Sequence, residues 1–269
     1  IVGALAGDAL TDADFNVAVG LGALSTDVLG SNSTAIGTNA LALQNFTTAT
    51  NAYNVAVGAN TGLNVTTGTQ NTLIGALAGD AITTGVQNVA VGVDALSLNT
   101  TADYNVAVGR SALATMNHTD GTDSYNTAVG HFSGAAVTTG TFNTIVGGLA
   151  ADALTEGTRN VAIGKDALTS DTLGSRSVAV GFAALFSQNL TTATNVFNVA
   201  VGEQAGLNVT TGTVNTLIGA RSGDALTTGN SNVAVGYEAL GAGTGDAGVV
   251  AIGHNALKTL NSNSVNYNV

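Results

Sequence analysis

The chain has 269 residues, no cysteine and only 9% charged residues, 6 basic against 17 acidic, for a formal net charge of −11. So few cations cannot neutralise a phosphate backbone, which argues against nucleic acid as a partner. Without cysteine there is no disulfide and no thiolate zinc site, and no run of about 18 apolar residues is present to insert into a membrane.

From Ile1 onward one short unit recurs without a break in composition. Its closing glycine stands at Gly3, Gly20, Gly37, Gly58, Gly75, Gly92, Gly109, Gly130, Gly147, Gly164, Gly181, Gly202, Gly219, Gly236 and Gly253. After the first two steps of 17 the spacing settles into 21, 17, 17, 17, so Gly37, Gly109, Gly181 and Gly253 lie 72 apart. A fixed short period over the whole length marks a repeat array, so residues 1–269 are expected to form one domain of about 15 coils. The chain begins at the tail of a unit, and Tyr267-Asn268-Val269 resembles the start of another (Tyr53-Asn54-Val55), so the array is expected to be a window on a longer fibre, or to join end to end.

Each glycine, taken as position 0, closes a short β-branched run: Val17-Ala18-Val19, Thr34-Ala35-Ile36, Val55-Ala56-Val57 and so on to Val250-Ala251-Ile252. Such runs, bounded by glycine and polar turns, predict strands. Helix is disfavoured, since each interior glycine would cost about 1 kcal/mol. One strand-bearing unit per 17 residues, stacked in register, predicts an all-β parallel β-solenoid whose every fourth coil has 21 residues. Coils rise by ~4.8 Å, so four span roughly 19 Å and the array about 67 Å. Alternation puts positions −3 and −1 (Val, Thr, Ile) on one face and −2 and 0 (Ala, Gly) on the other. The bulky face is expected to fill the interior, and the small face, with Ala90 and Ala162, to be a seam against a sister chain.

Equivalent positions line up as columns. Position −4 is asparagine at Asn16, Asn54, Asn71, Asn88, Asn105, Asn126, Asn143, Asn160, Asn198, Asn215 and Asn232, with Ser33, Ser177 and Val249 as exceptions. Stacked amides predict a hydrogen-bonded ladder; a turn residue tolerant of left-handed geometry is the other reading. Position −5 carries Phe15, Tyr53, Tyr104, Tyr125, Phe142 and Phe197, read as a stacked corner column or as a sugar-binding face. The four extra residues of the long coils are expected to bulge as loops beside Asn45, Asn117, Asn189 and Asn261. The first three begin Asn-x-Thr, as do Asn32, Asn64, Asn99 and Asn208 in the same or the Asn-Ser-Thr form. They are read as glycosylation acceptors or as receptor-contact loops, or as plain turn chemistry.

Acidic residues align too: Asp8, Asp80, Asp152 and Asp224 in one column, Asp94, Asp166 and Glu238 in another. Members of a column lie about 19 Å apart, too far to share one calcium, so a solvated stripe is expected. His118, His131 and His254 share no column. No Gly-x-Ser-x-Gly elbow and no phosphate-loop lysine occur, so neither an enzyme nor a cofactor is expected.

The motif Ser33-Thr34-Ala35-Ile36-Gly37-Thr38-Asn39-Ala40-Leu41 resembles the head repeats of trimeric autotransporter adhesins of the YadA-like class, and related repeats of bacteriophage tail fibres. The resemblance covers the whole chain. It implies a left-handed parallel β-roll, three chains side by side, on a cell surface or a virion tail. The implied function is a rigid adhesin-type fibre or a tail-fibre segment that meets a host receptor; a self-assembling matrix filament is a further reading. The partners it implies are sister copies, as trimer or end-to-end filament, and a host surface or matrix glycan or protein. The coil is longer than the usual head repeat, and no neck, stalk or anchor sequence is visible.

Overall fold

The structure, a computed structural model, describes residues 1–261; the Tyr267-Asn268-Val269 segment lies outside them. It is all-β, with no helix among the described residues, and is built as a parallel β-solenoid of stacked coils. The chain divides into two compact units, Ile1–Phe132 and Ser133–Val269.

In the first unit the strands Val17–Val19, Thr34–Ile36, Val55–Val57, Thr72–Ile74, Val89–Val91, Val106–Val108 and Thr127–Val129 pair in succession, all parallel. The second unit repeats this with Thr144–Val146, Val161–Ile163, Val178–Val180, Val199–Val201, Thr216–Ile218, Val233–Val235 and Val250–Ile252. Register follows the sequence columns: Ala90 sits beside Ala107, and Ala35 beside Ala56 across a long coil. Each coil carries one three-residue strand of this sheet. Elsewhere, Gly30–Ser31 pairs parallel with Thr50–Asn51, and Gly174–Ser175 with Thr194–Asn195, while other rungs are joined by backbone bonds such as Leu96 N to Ala112 O at 3.0 Å and Gly79 N to Ala95 O at 2.9 Å.

Burial inverts the expected faces. The small residues at −2, among them Ala18, Ala35, Ala56, Ala90, Ala107 and Ala162, are fully buried inside the coil. The β-branched residues at −3 and −1 point outward and are half-buried or exposed, with Ile36, Ile74, Ile163 and Ile218 among the exposed ones. Ala90 and Ala162 are therefore core residues, not a seam. The reason is thickness. A 17-residue coil encloses a thin interior, and its bulk comes from the opposite wall: Leu24, Leu41, Leu96, Leu113, Leu168 and Leu185 at +4 are fully buried. Facing those leucines, the strand has room only for a methyl group.

The interior is packed by exchange between rungs. Where +4 is Gly79, the strand residue is the larger Leu73, which also fills the space beside Gly62 on the preceding rung; a Cβ on either glycine would lie 2.8 Å from a Leu73 methyl. Gly206, Gly223 and Leu217 repeat the exchange in the second unit. Cutting Leu73 back to Ala would leave a cavity on the order of 2–5 kcal/mol.

The closing glycine is obligatory. Gly92 has φ +134°, and a Cβ there would lie 2.6 Å from the carbonyl carbon and oxygen of Gly109 one rung on. Positions −5, +2 and +4 also turn left-handed, mostly without glycine, as at Gln87 (φ 56°), Asp94 (φ 57°) and Leu96 (φ 53°). Each such residue costs about 1–2 kcal/mol, so the fold rests on the inter-rung bonds that offset this strain.

Candidate functional site

The asparagine column lies inside the coil. Asn71, Asn88 and Asn105 are fully buried, and each Oδ1 serves the rung above. Asn54 Oδ1 accepts from Asn71 N at 2.9 Å, Asn71 Oδ1 from Asn88 N at 3.0 Å, and Asn88 Oδ1 from Asn105 N at 3.0 Å. The Nδ2 groups donate to the same oxygens at 3.1–3.3 Å and to turn carbonyls such as Gly85 O at 2.9 Å. Asn198, Asn215 and Asn232 form the same ladder in the second unit. Within each unit these amides therefore point one way along the stack of rungs.

That polarity ends on a buried carboxylate. Asn198 Nδ2 donates to Gln188 Oε1 at 2.9 Å, and Gln188 Nε2 donates to Asp171 Oδ2 at 2.6 Å and to Ser177 Oγ at 3.0 Å. Asp171 Oδ1 accepts from Gly174 N at 3.1 Å and Leu190 N at 3.2 Å. Burial pushes the Asp171 carboxyl above the ordinary carboxylate range, while the bonds from Gln188, Leu190 and Gly174 pull it down. Asp27, Gln44, Ser33 and Asn54 reproduce the arrangement in the first unit. One superrepeat between them, the equivalent positions hold Asn99 and Met116: Asn99 turns both ends of its amide onto Ala102, and Asn126 Nδ2 lies 3.9 Å from the Met116 sulfur.

A threonine column is a second ladder that composition alone concealed among turn residues. Thr66, Thr83, Thr155, Thr210 and Thr227 each donate a hydroxyl to the backbone carbonyl one rung on, at 2.9–3.1 Å. Its trace in the sequence is a threonine eight residues after the closing glycine.

The long coils place their extra length at the surface. Thr47, Thr48 and Ala49 are exposed, as are Thr119, Asp120 and Gly121 and then Thr191, Thr192 and Ala193. Asn45 and Asn189 are exposed beside them and Asn117 is half-buried. Asn117 Oδ1 accepts from Thr100 at 2.7 Å and Asn189 Oδ1 from Thr172 at 3.1 Å. Asn261 is exposed. Asn99 is fully buried with its amide engaged, so it cannot be a glycan acceptor.

On the outward sheet face, −5 and +1 form the two margins of the β-branched stripe. Tyr104 and Tyr125 stack at −5 with centroids 4.8 Å apart and planes 2° apart. Rings stacked rung on rung show solvent their edges, whereas a sugar packs on a ring face, so this pair fits a corner column better than a sugar platform. Four of the six basic residues also lie on these margins, each over a ring: Arg110 over Phe132, Arg159 over Phe142, Lys165 over Phe182 and Arg176 over Phe197, at 5.3–5.6 Å.

The two acidic columns meet in pairs on neighbouring rungs. The Asp80 carboxyl is pushed up mainly by burial and further by Asp94, and Asp224 likewise by burial and by Glu238. Glu238 is held low by Lys258 and Arg221, and Lys165 pairs with Asp166. Asp80 Oδ1 is buried without a hydrogen-bond partner. Among the described residues no three His, Asp or Glu side chains group as a metal site. His118 is buried in the second long coil, where burial lowers its pKa against a smaller opposing effect of Asp120. No protein-family model matches the chain, and no curated protein matches it.

Proposed function

We propose that this chain is a structural segment of an extracellular surface fibre, in which copies pack side by side through the outward β-branched face and the inserted loops make the attachment. One observation carries the reading: within each unit a continuous stripe of valine, isoleucine and threonine faces out of seven parallel strands. Seven strands at ~4.8 Å and the five residues between margins at ~3.3 Å give a face of roughly 34 by 17 Å, about 560 Å² per unit. That is at the upper end of the roughly 300–600 Å² that the largest apolar patch of a monomer covers, a size that is often functional. The occupant is a second copy, because only another array presents side chains at the same axial period. A trimer, as the resemblance to adhesin heads implies, lets three such faces cover one another, and end-to-end growth would extend the fibre.

Light scattering on the purified chain tests this. The wild type should have a molar mass that is a multiple of 26.3 kDa. Val91→Lys/Val108→Lys, with an unchanged circular dichroism spectrum, should fall to the mass of one chain. A monomeric wild type, or a variant of unchanged mass, contradicts the proposal.

A further inference from the structure

The second unit carries a basic doublet that the array does not repeat. At −5 four successive rungs present Phe142, Arg159, Arg176 and Phe197. Both arginines are exposed, each laid over the phenylalanine on its outer side, at 5.3 Å and 5.6 Å. They occupy consecutive rungs, whose backbones are ~4.8 Å apart. Arg176 Nε donates to Asn195 Oδ1 at 3.0 Å, which fixes that group edge-on and leaves its two terminal nitrogens to solvent.

Two adjacent cations repel, and an acidic chain has the means to neutralise them. Three of its other four basic residues are neutralised: Lys165 meets Asp166, and Arg221 and Lys258 meet Glu238, while Arg110, like this doublet, lies over a ring without an ion pair among the described residues. Neither Arg159 nor Arg176 forms an ion pair among the described residues. The fold does not require arginine there either. The equivalent positions one superrepeat earlier are Gln87 and Tyr104, with the same left-handed backbone (φ 56° and 61°, against 58° and 65°).

We propose that Arg159 and Arg176 form a clamp for a tetrahedral oxyanion, taking a sulfate ester of an acidic polysaccharide. Each guanidinium sits over a ring on an exposed side chain, where solvent-borne groups can reach it; planar forks bind tetrahedral oxyanions through paired N–H donors. Two forks one rung apart can grip one group from both sides. The choice of a polymer as source rests on the attachment role proposed above, whereas the oxyanion site itself does not.

The test is retention of the whole chain on immobilised dextran sulfate, with unsulfated dextran as the blank. The clamp variant is Arg159→Gln/Arg176→Tyr, which installs the residues of the preceding superrepeat. The control is Arg110→Thr/Arg221→Leu, which removes as much charge and installs the residues at the equivalent positions Thr38 and Leu77. The wild type and the control should be retained and released by salt, and the clamp variant should bind at least tenfold more weakly. Equal retention of clamp variant and control, or no retention of the wild type, overturns the proposal. Release by millimolar inorganic sulfate as readily as by soluble dextran sulfate overturns the polymer source and leaves a free-ion site. Molar mass measured on the same samples separates the two readings: lost retention at unchanged mass supports the clamp, whereas a monomeric wild type that is still retained defeats only side-by-side assembly.

Discussion

At Asp80 the fold keeps a carboxylate under conditions that disfavour its charge. Its Oδ1 is buried without a hydrogen-bond partner, and Asp94 stands on the next rung. Burial first, and the Asp94 charge second, raise the folded pKa above the ordinary 3.8. A raised acid binds its proton more tightly in the fold than in the unfolded chain. Ionisation therefore costs stability as pH climbs from 3.8 through the folded value, and the full penalty stands at neutral pH. Asp80→Asn should raise the melting temperature at pH 7, and the gain should vanish near pH 3. A gain that persists at pH 3 would show that charge is not its source. Strain acts at the same scale: left-handed leucines such as Leu96 and Leu168 persist because their side chains fill the core and their backbone joins the rungs.

The coil is the element, and its logic is that neighbouring rungs answer one another. Asp171 and Gln188 occupy the same column one rung apart, with an acceptor opposite a donor. Asp171→Asn places an amide nitrogen against Gln188 Nε2, and Gln188 cannot turn over without losing Asn198. The expected loss is about 1–3 kcal/mol, the cost of stranding buried polar groups. Asp171→Asn/Gln188→Met recreates the Asn99/Met116 pair and should recover most of that loss, a coupling that a thermal-denaturation double-mutant cycle measures. Additive effects would refute the pairing. This network was hidden in the sequence because Asp27, Gln44, Asn99 and Met116 read as scattered exceptions until the rungs stand on one another. The strands themselves were legible, since a β-branched tripeptide closed by glycine has little alternative. Which face is the inside was not, because two-residue alternation defines two faces without naming the buried one. Ala90 against Val91 is decided by the opposite wall, where Leu96 already takes the volume.

Across the whole molecule, the 17- and 21-residue spacing alone carried the solenoid, because parallel stacking demands equal coils and expels any surplus. The surplus appears at Thr47–Thr48–Ala49 and its equivalents. The outward face, the arginine doublet and the threonine ladder needed the fold, because each joins residues a full coil apart. The −2 column lies inside and the −1 column outside, where the proposed assembly sets it against another copy. A chain without cysteine allows that to be read one thiol at a time. Under mild oxidation, Val91→Cys should give a disulfide-linked dimer on a non-reducing gel, while Ala90→Cys stays monomeric and reacts with a thiol reagent only after denaturation. Crosslinking through position 90, or a freely reactive thiol there with position 91 shielded inside the native monomer, would contradict the account.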